Sequence, residues 1–556
     1  MSLSVFWRAT RHIPKRQLFR RLGLTLRRRL TMSAVGAIAR RRQLQPIPIA
    51  DSLPTAVFSS RSHLIQATDE GDFLCQLNRK WLIGPQVDWQ LDKNQATHLE
   101  RLAFHYLEFV EALPPQRAEA VICHWIDHNP PWQQGYWLDS WNSYAVSIRT
   151  VCMMQWVALH NDSVHEDAMR KITSSVAEQI RFLCRNLETD ICGNHLLKNV
   201  KALLWAGNFF RGPEAIGWTR IGRKLLWQEL KAQFLDDGMH FELSPAYHCQ
   251  VFADLMDCAY VLSPENRLQL IAALQPAAQV IADLTHPDDQ ISLFSDGGLD
   301  MAYSPQECLT IYKRLGGDWP TSCQSFGYEE AGYFGIRSDT GYLLFDCGPS
   351  CADALPAHGH GDILAFEWDV GTQRVIVDAG VREYEPGAER DWNRSTRAHN
   401  TVTVGGRDQC EFIKSFRVGH RAHGRCLEVQ LTDSHMSVTG EYTSTHNDGQ
   451  KIRHCRTISG TPATFSVRDV LTSGRSEPAV ARILLHHACR VTATSENSVL
   501  IDVGEDQVQL TSESKISICD SRWSPNFGEE YTTIQLEIDY GNTPCESGFR
   551  LNLKAK

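Results

Sequence analysis

Nowhere in the 556 residues is there a run of 18 or more apolar side chains, which excludes a membrane-spanning helix of ordinary length. Seventeen cysteines are present, yet none forms a CxxC pair. Their odd number and scatter from Cys75 to Cys545 point to buried free thiols rather than a disulfide framework. No repeat of fixed period and no low-complexity tract occurs. With 22% charged and 42% hydrophobic residues, the composition excludes disorder and collagen, and the length suffices for two or more packed cores.

The first 50 residues lack acidic side chains altogether. They carry 12 Lys and Arg, from Arg8 to Arg42, so the net charge of −9 conceals a remainder with 44 bases against 65 acids. A secretory signal would place a continuous apolar stretch of about 7–15 residues after its positive start. Here Leu22–Leu26 is broken by Arg27–Arg29, and Met32–Ala39 is short and weakly hydrophobic. The basic segment reads as an arm on the acidic body or a solvated tail, with attachment to a membrane surface or an anionic polymer as the alternative. No recognition motif accompanies the charge, so nucleic acid is not an expected partner.

Between about residues 95 and 315 the apolar spacing is helical. Leu99, Leu102, Tyr106, Phe109, Val110 and Leu113 recur at steps of three and four over His98–Leu113, and Val176–Leu187 repeats the device with Ile180, Leu183 and Leu187. Further helices are expected near 142–160, 195–206, 217–234, 247–262 and 266–284. Such a series suits a bundle, a solenoid or a toroid. After about residue 330 the runs become short, alternating or β-branched, as in Gly341–Phe345, Thr401–Val404, Thr464–Val467 and Thr532–Ile538. These predict antiparallel strands in a β-sandwich. The expected organisation is a basic segment 1–50, an α-helical domain 51–330 and a β-sandwich domain 331–556, with the boundary between Pro320 and Gly341.

His358-Gly359-His360-Gly361-Asp362 is the densest chemical signal. In an extended chain its three polar side chains point one way with no bulk between them. Asp378, after Arg374–Val377, and His399, at the start of a strand to Val404, suit neighbouring strands. Two His and one Asp so placed can build a zinc site with one position open, although each His alone also reads as a hydrogen-bonded structural residue. Gly193-Asn194-His195 opens a leucine-rich helix, where free backbone N–H groups and the positive dipole end suit a carboxylate ligand. The plainer reading makes Asn194 an N-cap. In Glu242-Leu243-Ser244-Pro245-Ala246-Tyr247 the proline starts a helix and sets Tyr247 in its first turn, for chemistry or for packing. Trp141, Tyr144 and Arg149 gather at another helix start, fit to stack on a sugar and grip a carboxylate, or equally to pack a core.

Taken in order, Gly193-Asn194-His195, Ser244-Pro245-Ala246-Tyr247-His248, His358-Gly359-His360-Gly361-Asp362, Val377-Asp378-Ala379-Gly380 and Ala398-His399-Asn400-Thr401 make the chain resemble the heparinase II/III-like family of polysaccharide lyases, related to alginate and oligoalginate lyases, over roughly residues 60–545. The resemblance implies an N-terminal incomplete (α/α) toroid followed by a C-terminal antiparallel β-sandwich. It implies a lyase that cleaves an acidic, uronic-acid-containing polysaccharide by β-elimination, with a link to bacterial exopolysaccharide metabolism. Asn194 and His195 would neutralise the uronate carboxylate, and Tyr247 and His358 would act as base and acid in an order the sequence leaves open. Trp141, Tyr144, Arg149, Glu242 and Arg394 would contact substrate, and Tyr384 matches a second tyrosine of alginate-cleaving relatives.

In the same way His360, Asp378 and His399 correspond to the ligands of a structural zinc, with His420 and His423 as substitutes for the third. A polyanionic substrate requires the cleft to be a basic exception on an acidic body, to which Arg149, Lys198 and Arg394 would contribute. A bacterial cell-envelope or periplasmic setting goes with the family, and a cytoplasmic one with the lack of a clear signal peptide. Two other classes compete. One is a non-catalytic polysaccharide-binding or assembly protein on the same fold, and the other a zinc-dependent hydrolase that activates water with His358 and Asp378.

Overall fold

The structure is a computed structural model that describes residues 7–8, 10–31, 46–59, 61–68, 71–83 and 87–554; the stretch Met32–Ala39 weighed above lies outside them. Its helices are α1 Lys15–Thr31, α2 His98–Phe104, α3 Pro115–His128, α4 Ser143–His160, α5 Glu166–Arg185, α6 Gly193–Phe209, α7 Pro213–Gln233, α8 Pro245–Val261, α9 Pro264–Ala273, α10 Gln275–Leu284 and α11 Pro305–Arg314. Pro115, Pro213, Pro245, Pro264 and Pro305 stand in the first turns, where a missing N–H has no partner to lose and the fixed φ is already helical. Helices α2 to α11 form an incomplete (α/α) toroid in which α4, α6 and α8 pack side by side. Leu197, Val200 and Leu204 of α6 are fully buried, each contributing roughly 1.5–3 kcal/mol by leaving water.

The apolar period hides two breaks. The helix expected over His98–Leu113 stops at Phe104, and Leu107 takes a φ of 59° before a separate turn, Glu108–Ala112. Both pieces bury the same side through Phe104, Phe109 and Val110, so the spacing survives the break. The stretch 266–284 is likewise two helices, divided at Leu274 ahead of Pro276. Val176–Leu187 proves to be the C-terminal half of the longer α5. A three-stranded sheet, Ile65–Thr68, Gly71–Gln76 and Arg79–Ile83, stands before the helices and was not anticipated.

In the second half the strands of every sheet pair antiparallel. A five-stranded meander runs Ser325–Tyr328, Tyr333–Ser338, Gly341–Asp346, Phe366–Val370 and Gln373–Ile376. Eight strands form the large sheet, in the order His423–Thr432, His435–Thr445, Lys451–Thr461, Thr464–Ser473, Cys545–Leu553, Asp506–Ser512, Ser498–Val503 and Arg490–Ser495. A four-stranded sheet orders Ile516–Trp523, Tyr531–Asn542, Pro478–Leu484 and Val402–Val404. Aromatics such as Trp368 and Phe465, with ring centroids 5.3 Å apart, fill the space between sheets.

The meander also joins the two halves. Tyr328 and Tyr342 donate to the Asp283 carboxylate and carbonyl of α10 at 2.7 and 2.8 Å, and Tyr333 donates to the Leu243 carbonyl at 2.7 Å. The last of these bonds pins the loop that leads into α8, which carries Tyr247.

Candidate active site

A cleft of about 1110 Å³ opens between toroid and sandwich, walled by residues of both. At its floor, α6 begins abruptly, with Cys192 and Gly193 at φ values of 63° and 57°. A Cβ on Gly193 would strike the Glu242 carboxylate and Leu355, so glycine is required where Glu242 passes under the helix end. Glu242 Oε1 accepts from the Asn194 backbone N–H at 2.8 Å, and both its oxygens accept from the Asn194 side-chain amide at 3.1 Å. The anion site expected to be open at this helix start is therefore filled by the protein's own carboxylate, in a position the helix dipole favours. Asn194 is also not the N-cap, a place taken by Cys192.

His358 lies between two carboxylates. Its Nε2 donates to Glu242 Oε2 and its Nδ1 to Asp296 Oδ2, both at 3.0 Å. Each ring nitrogen thus carries a proton. Burial opposes that charge, but the hydrogen bonds to Asp296 and Glu242 outweigh it and lift His358 to about 9. Burial likewise pushes Glu242 up, and His358 more than reverses this, drawing the carboxyl down to about 2. The fully buried Asp296 also accepts from His360 Nε2 at 2.8 Å and from both terminal nitrogens of Arg390, on the short helix α12 Ala388–Arg394. The segment expected to be extended is a loop, whose two histidines converge on Asp296 while Asp362 accepts from the Ser295 N–H at 2.9 Å. A Cβ on Gly361 would meet Thr396, so glycine lets this loop pass.

Tyr247 faces His358 from the toroid. Ser244 caps α8, its Oγ accepting from the Tyr247 N–H at 3.2 Å and donating to the Asp296 carbonyl at 2.5 Å. The Tyr247 and His358 ring centroids are 3.9 Å apart at 31°. Tyr384, placed only by resemblance in the sequence, brings its hydroxyl to 3.1 Å from that of Tyr247, with the Arg390 guanidinium 4.9 Å from its ring centroid. Burial pushes the Tyr247 phenol well above its ordinary value, and Tyr384 adds to the rise. His195 stands in the cleft wall, a third exposed, with Nδ1 donating to Glu188 Oε1 at 3.0 Å and its ring 4.6 Å from Tyr144. With Nδ1 bonded to Glu188, Nε2 is the ring nitrogen left for a ligand.

His360, Asp378 and His399 each bring one buried donor atom to within 4.8 Å of the others. His399 precedes its strand rather than opening it, and its Nδ1 donates to Asp378 Oδ2 at 2.7 Å. His360 gives its Nε2–H to Asp296, so Nδ1 keeps a lone pair, and burial holds the ring neutral by lowering it to about 3. That Nδ1, His399 Nε2 and Asp362 Oδ1 are buried polar atoms without a hydrogen-bond partner. Two imidazole nitrogens left unsatisfied beside the buried Asp378 carboxylate fit the donor set of a zinc-type cation. His420 and His423 are not in this cluster; the His420 N–H bonds Glu411, and His423 opens an exposed strand edge.

Three residues expected to contact substrate do not reach the cleft. Trp141 is 2% exposed, packed 5.1 Å from Phe182 with its indole donating to the Asn129 carbonyl at 2.9 Å. Arg149 is fully buried because nearly every side of α4 faces protein; it donates to Gln179 at 2.8 Å and the His105 carbonyl at 2.7 Å and stacks on Trp125. Arg394 is also buried and donates to the Gly359 carbonyl at 3.1 Å, holding the histidine loop. Tyr144 does line the cleft, whereas Glu242 works from beneath it. Lys198 lines it too but is paired with Asp254 at 2.9 Å.

Among the described residues the cleft wall carries eight Lys and Arg and eight Asp and Glu, a neutral balance on an acidic body rather than the basic patch expected. The pairing of His358 with Asp378 that a hydrolase would need is not formed, since Asp378 is turned to His399. Asp296, Arg390 and Glu188 escaped the sequence reading. The only local signal for Asp296 is its place after Ile291, Leu293 and Phe294 and before Gly297-Gly298.

The heparinase II/III N-terminus family model matches residues 68–313, and the heparinase II/III-like C-terminal model matches 321–548. Two curated relatives are heparin-sulfate lyases. That of Bacteroides thetaiotaomicron is 25% identical over 336 residues, 51% of this chain and 47% of the relative. That of Bacteroides stercoris is 26% identical over 254 residues, 40% of this chain and 37% of the relative. The chain thus spans less than half the length of the curated relatives it matches. A crystal structure of heparinase III superposes with a TM-score of 0.69 at 18% identity, over 84% of this chain and 79% of that one. The heparan sulfate lyase of Pedobacter heparinus gives 0.58 at 16% identity, over 91% and 85%. At these identities the structures establish the shared fold, and with two family models covering the toroid and most of the sandwich, the chain belongs to the heparinase II/III family.

Proposed function

We propose that the chain is a polysaccharide lyase that cleaves an acidic, uronic-acid-containing polysaccharide by β-elimination. The observation that carries this reading is the Tyr247–His358 pair at the base of the cleft, with a neutral phenol against a doubly protonated imidazole. In β-elimination the C5–H bond breaks, its electron pair forms the C4–C5 double bond, and the C4–O bond breaks as the leaving oxygen takes a proton. No water is consumed. The difficulty is the negative charge that builds beside the uronate carboxylate, which a fixed cation in a dry site relieves.

His358 offers no lone pair, because both nitrogens donate to carboxylates, so it suits the cation and not the base. Tyr247 Oη, as phenolate, then takes the C5 proton, and the phenol so formed gives a proton to the leaving oxygen. Its phenolate is opposed by burial and favoured by the adjoining imidazolium, and Tyr384 is the hydroxyl within reach to relay the proton. His195 reaches the substrate carboxylate from the cleft wall, while Asn194 acts through Glu242, which fixes the charge on His358. His360, Asp378 and His399 would hold a zinc ion, whose contribution is a structural cross-link among the loops that carry His358.

The relatives named heparin-sulfate lyases make a heparin-sulfate-type polymer the first substrate to try, ahead of alginates and bacterial exopolysaccharides. A cell-envelope or periplasmic setting, where such polymers are met, suits this activity. Mass spectrometry of the products tests the reaction class. A lyase yields one fragment lighter by a water than its hydrolytic counterpart. Saturated fragments only would replace this reading with the hydrolase.

A further inference from the structure

Helix α1 has two faces, and the lyase reading uses neither. On one face, Leu24 is buried, Gln17 Nε2 donates to Cys192 Sγ at 3.5 Å, and Arg20 donates to the Leu187 carbonyl at 3.4 Å. Arg21 pairs with Asp190 at 3.5 Å, Arg27 donates to Asn186 at 2.5 Å, and the Arg28 guanidinium lies 5.7 Å from the Trp137 ring centroid. This face is docked on the toroid just ahead of α6.

The opposite face is apolar and uncovered. Phe19, Leu22 and Leu26 are 72%, 66% and 60% exposed, and their steps of three and four place them in one stripe along the helix. At 100° per residue, Arg16 flanks the stripe on one side and Arg29 on the other, with Lys15 in line at its N-terminal end. These three cations are exposed and pair with no acidic side chain among the described residues. Large apolar side chains in water, rimmed by charge of one sign only, call for an occupant that is oily within and anionic at its surface. An acidic protein surface would satisfy the rim but not the depth of the stripe, and no acid occurs anywhere in residues 1–50 to turn such a surface away or to bind a basic one.

We propose that α1 is a peripheral membrane anchor, which seats Phe19, Leu22 and Leu26 among the acyl chains of an anionic bilayer while its other face stays on the toroid. Among the described residues no helix is long and apolar enough to cross a membrane, so the helix lies in the interface plane. The acidic remainder of the molecule is repelled by the same lipids, which gives docking one orientation. Gln17 and Arg21 also line the cleft wall, so the docked helix sets the cleft beside the bilayer.

The test is co-sedimentation of the full-length protein with vesicles of phosphatidylcholine, with and without about a third phosphatidylglycerol, at low and high salt. The wild-type protein is expected to pellet with the anionic vesicles and to be released by salt. Leu22→Asp with Leu26→Asp is expected to lower the partition coefficient about tenfold or more, and Arg16→Gln with Arg29→Gln about tenfold. Unchanged thermal melting shows that both double variants keep their fold, since all four side chains are exposed. Wild-type protein that stays in solution with both vesicle types overturns the proposal, as does equal pelleting of Leu22→Asp/Leu26→Asp. So does light scattering that shows a wild-type dimer, dispersed by that variant, with no vesicle binding; the stripe would then belong to a second copy.

Discussion

The Tyr247 ring lies against the His358 ring, with centroids 3.9 Å apart at 31°, across the seam between toroid and sandwich. Neither domain alone can make this pair. Tyr247 is set by the Ser244 cap of α8, and His358 by Glu242 and by Asp296 of the α10–α11 loop, both from the toroid. The seam is therefore part of the chemistry.

Glu242→Gln keeps the size of the side chain and removes one of the two charges that hold the imidazolium. Turnover is expected to fall roughly 100-fold or more, with substrate binding weakened less, because the lost charge acts on the transition state. Steady-state kinetics check this. An unchanged kcat would show that the charge on His358 does not matter to the reaction.

The cluster of His360, Asp378 and His399 is expected to retain close to one zinc per chain through purification. His399→Ala is expected to lose the metal and lower the melting temperature, and chelation of the wild-type protein to do the same without an immediate stop of activity. Elemental analysis with thermal melting decides it. Wild-type protein that holds no metal and melts identically in chelator would remove zinc from the account.

Much of this site was legible because its parts are local. The loop from His358 to Asp362, the Asp378 turn and the His399 approach each stand out as short polar strings inside apolar sequence, and the structure gathers His360, Asp378 and His399. What was not legible is the wiring. Asp296 joins His358, His360 and Arg390 from 62 to 94 positions away, and a single aspartate before two glycines carries no period that could reveal it. Trp141 and Arg149 misled for the opposite reason, since an aromatic and a base at a helix start look the same whether they meet a sugar or a core. The sheet over 65–83 was hidden by its brevity, although its turn at Leu77 and Asn78, both at positive φ, rests on an asparagine of the kind such turns favour.

Arg149→Met tests the core position of this side chain. Gln179 and the His105 carbonyl would lose their donor, so stability is expected to fall by about 1–3 kcal/mol. KM for the polymer should stay as it is. A raised KM with unchanged melting would return Arg149 to the substrate.

In the sandwich core, Asp469 accepts from Arg456 at 2.7 and 2.9 Å, from His454 at 2.7 Å and from Tyr540 at 2.9 Å. Burial opposes its charge, but Arg456 and His454 hold the carboxyl far below its ordinary value. A folded pKa below the unfolded value of about 3.9 means that Asp469 stabilises the fold at neutral pH and that this contribution fades as pH falls below that value. Asp469→Asn is expected to cost about 3–5 kcal/mol at neutral pH, and less as the pH is lowered. Denaturant titrations at pH 7 and at acid pH measure both. An equal loss at every pH would show that the aspartate acts by shape and not by charge.

The most direct test of the central claim is the ultraviolet absorbance of unsaturated uronate, followed during incubation of wild-type and Tyr247→Phe proteins with heparin-sulfate-type, alginate and bacterial exopolysaccharides. The wild-type protein is expected to give a rising signal with at least one polymer, and Tyr247→Phe to bind that polymer while the rate falls roughly 100- to 10,000-fold. A wild-type signal that Tyr247→Phe leaves intact, or polymer binding by folded wild-type protein with no signal from any of them, would contradict the account.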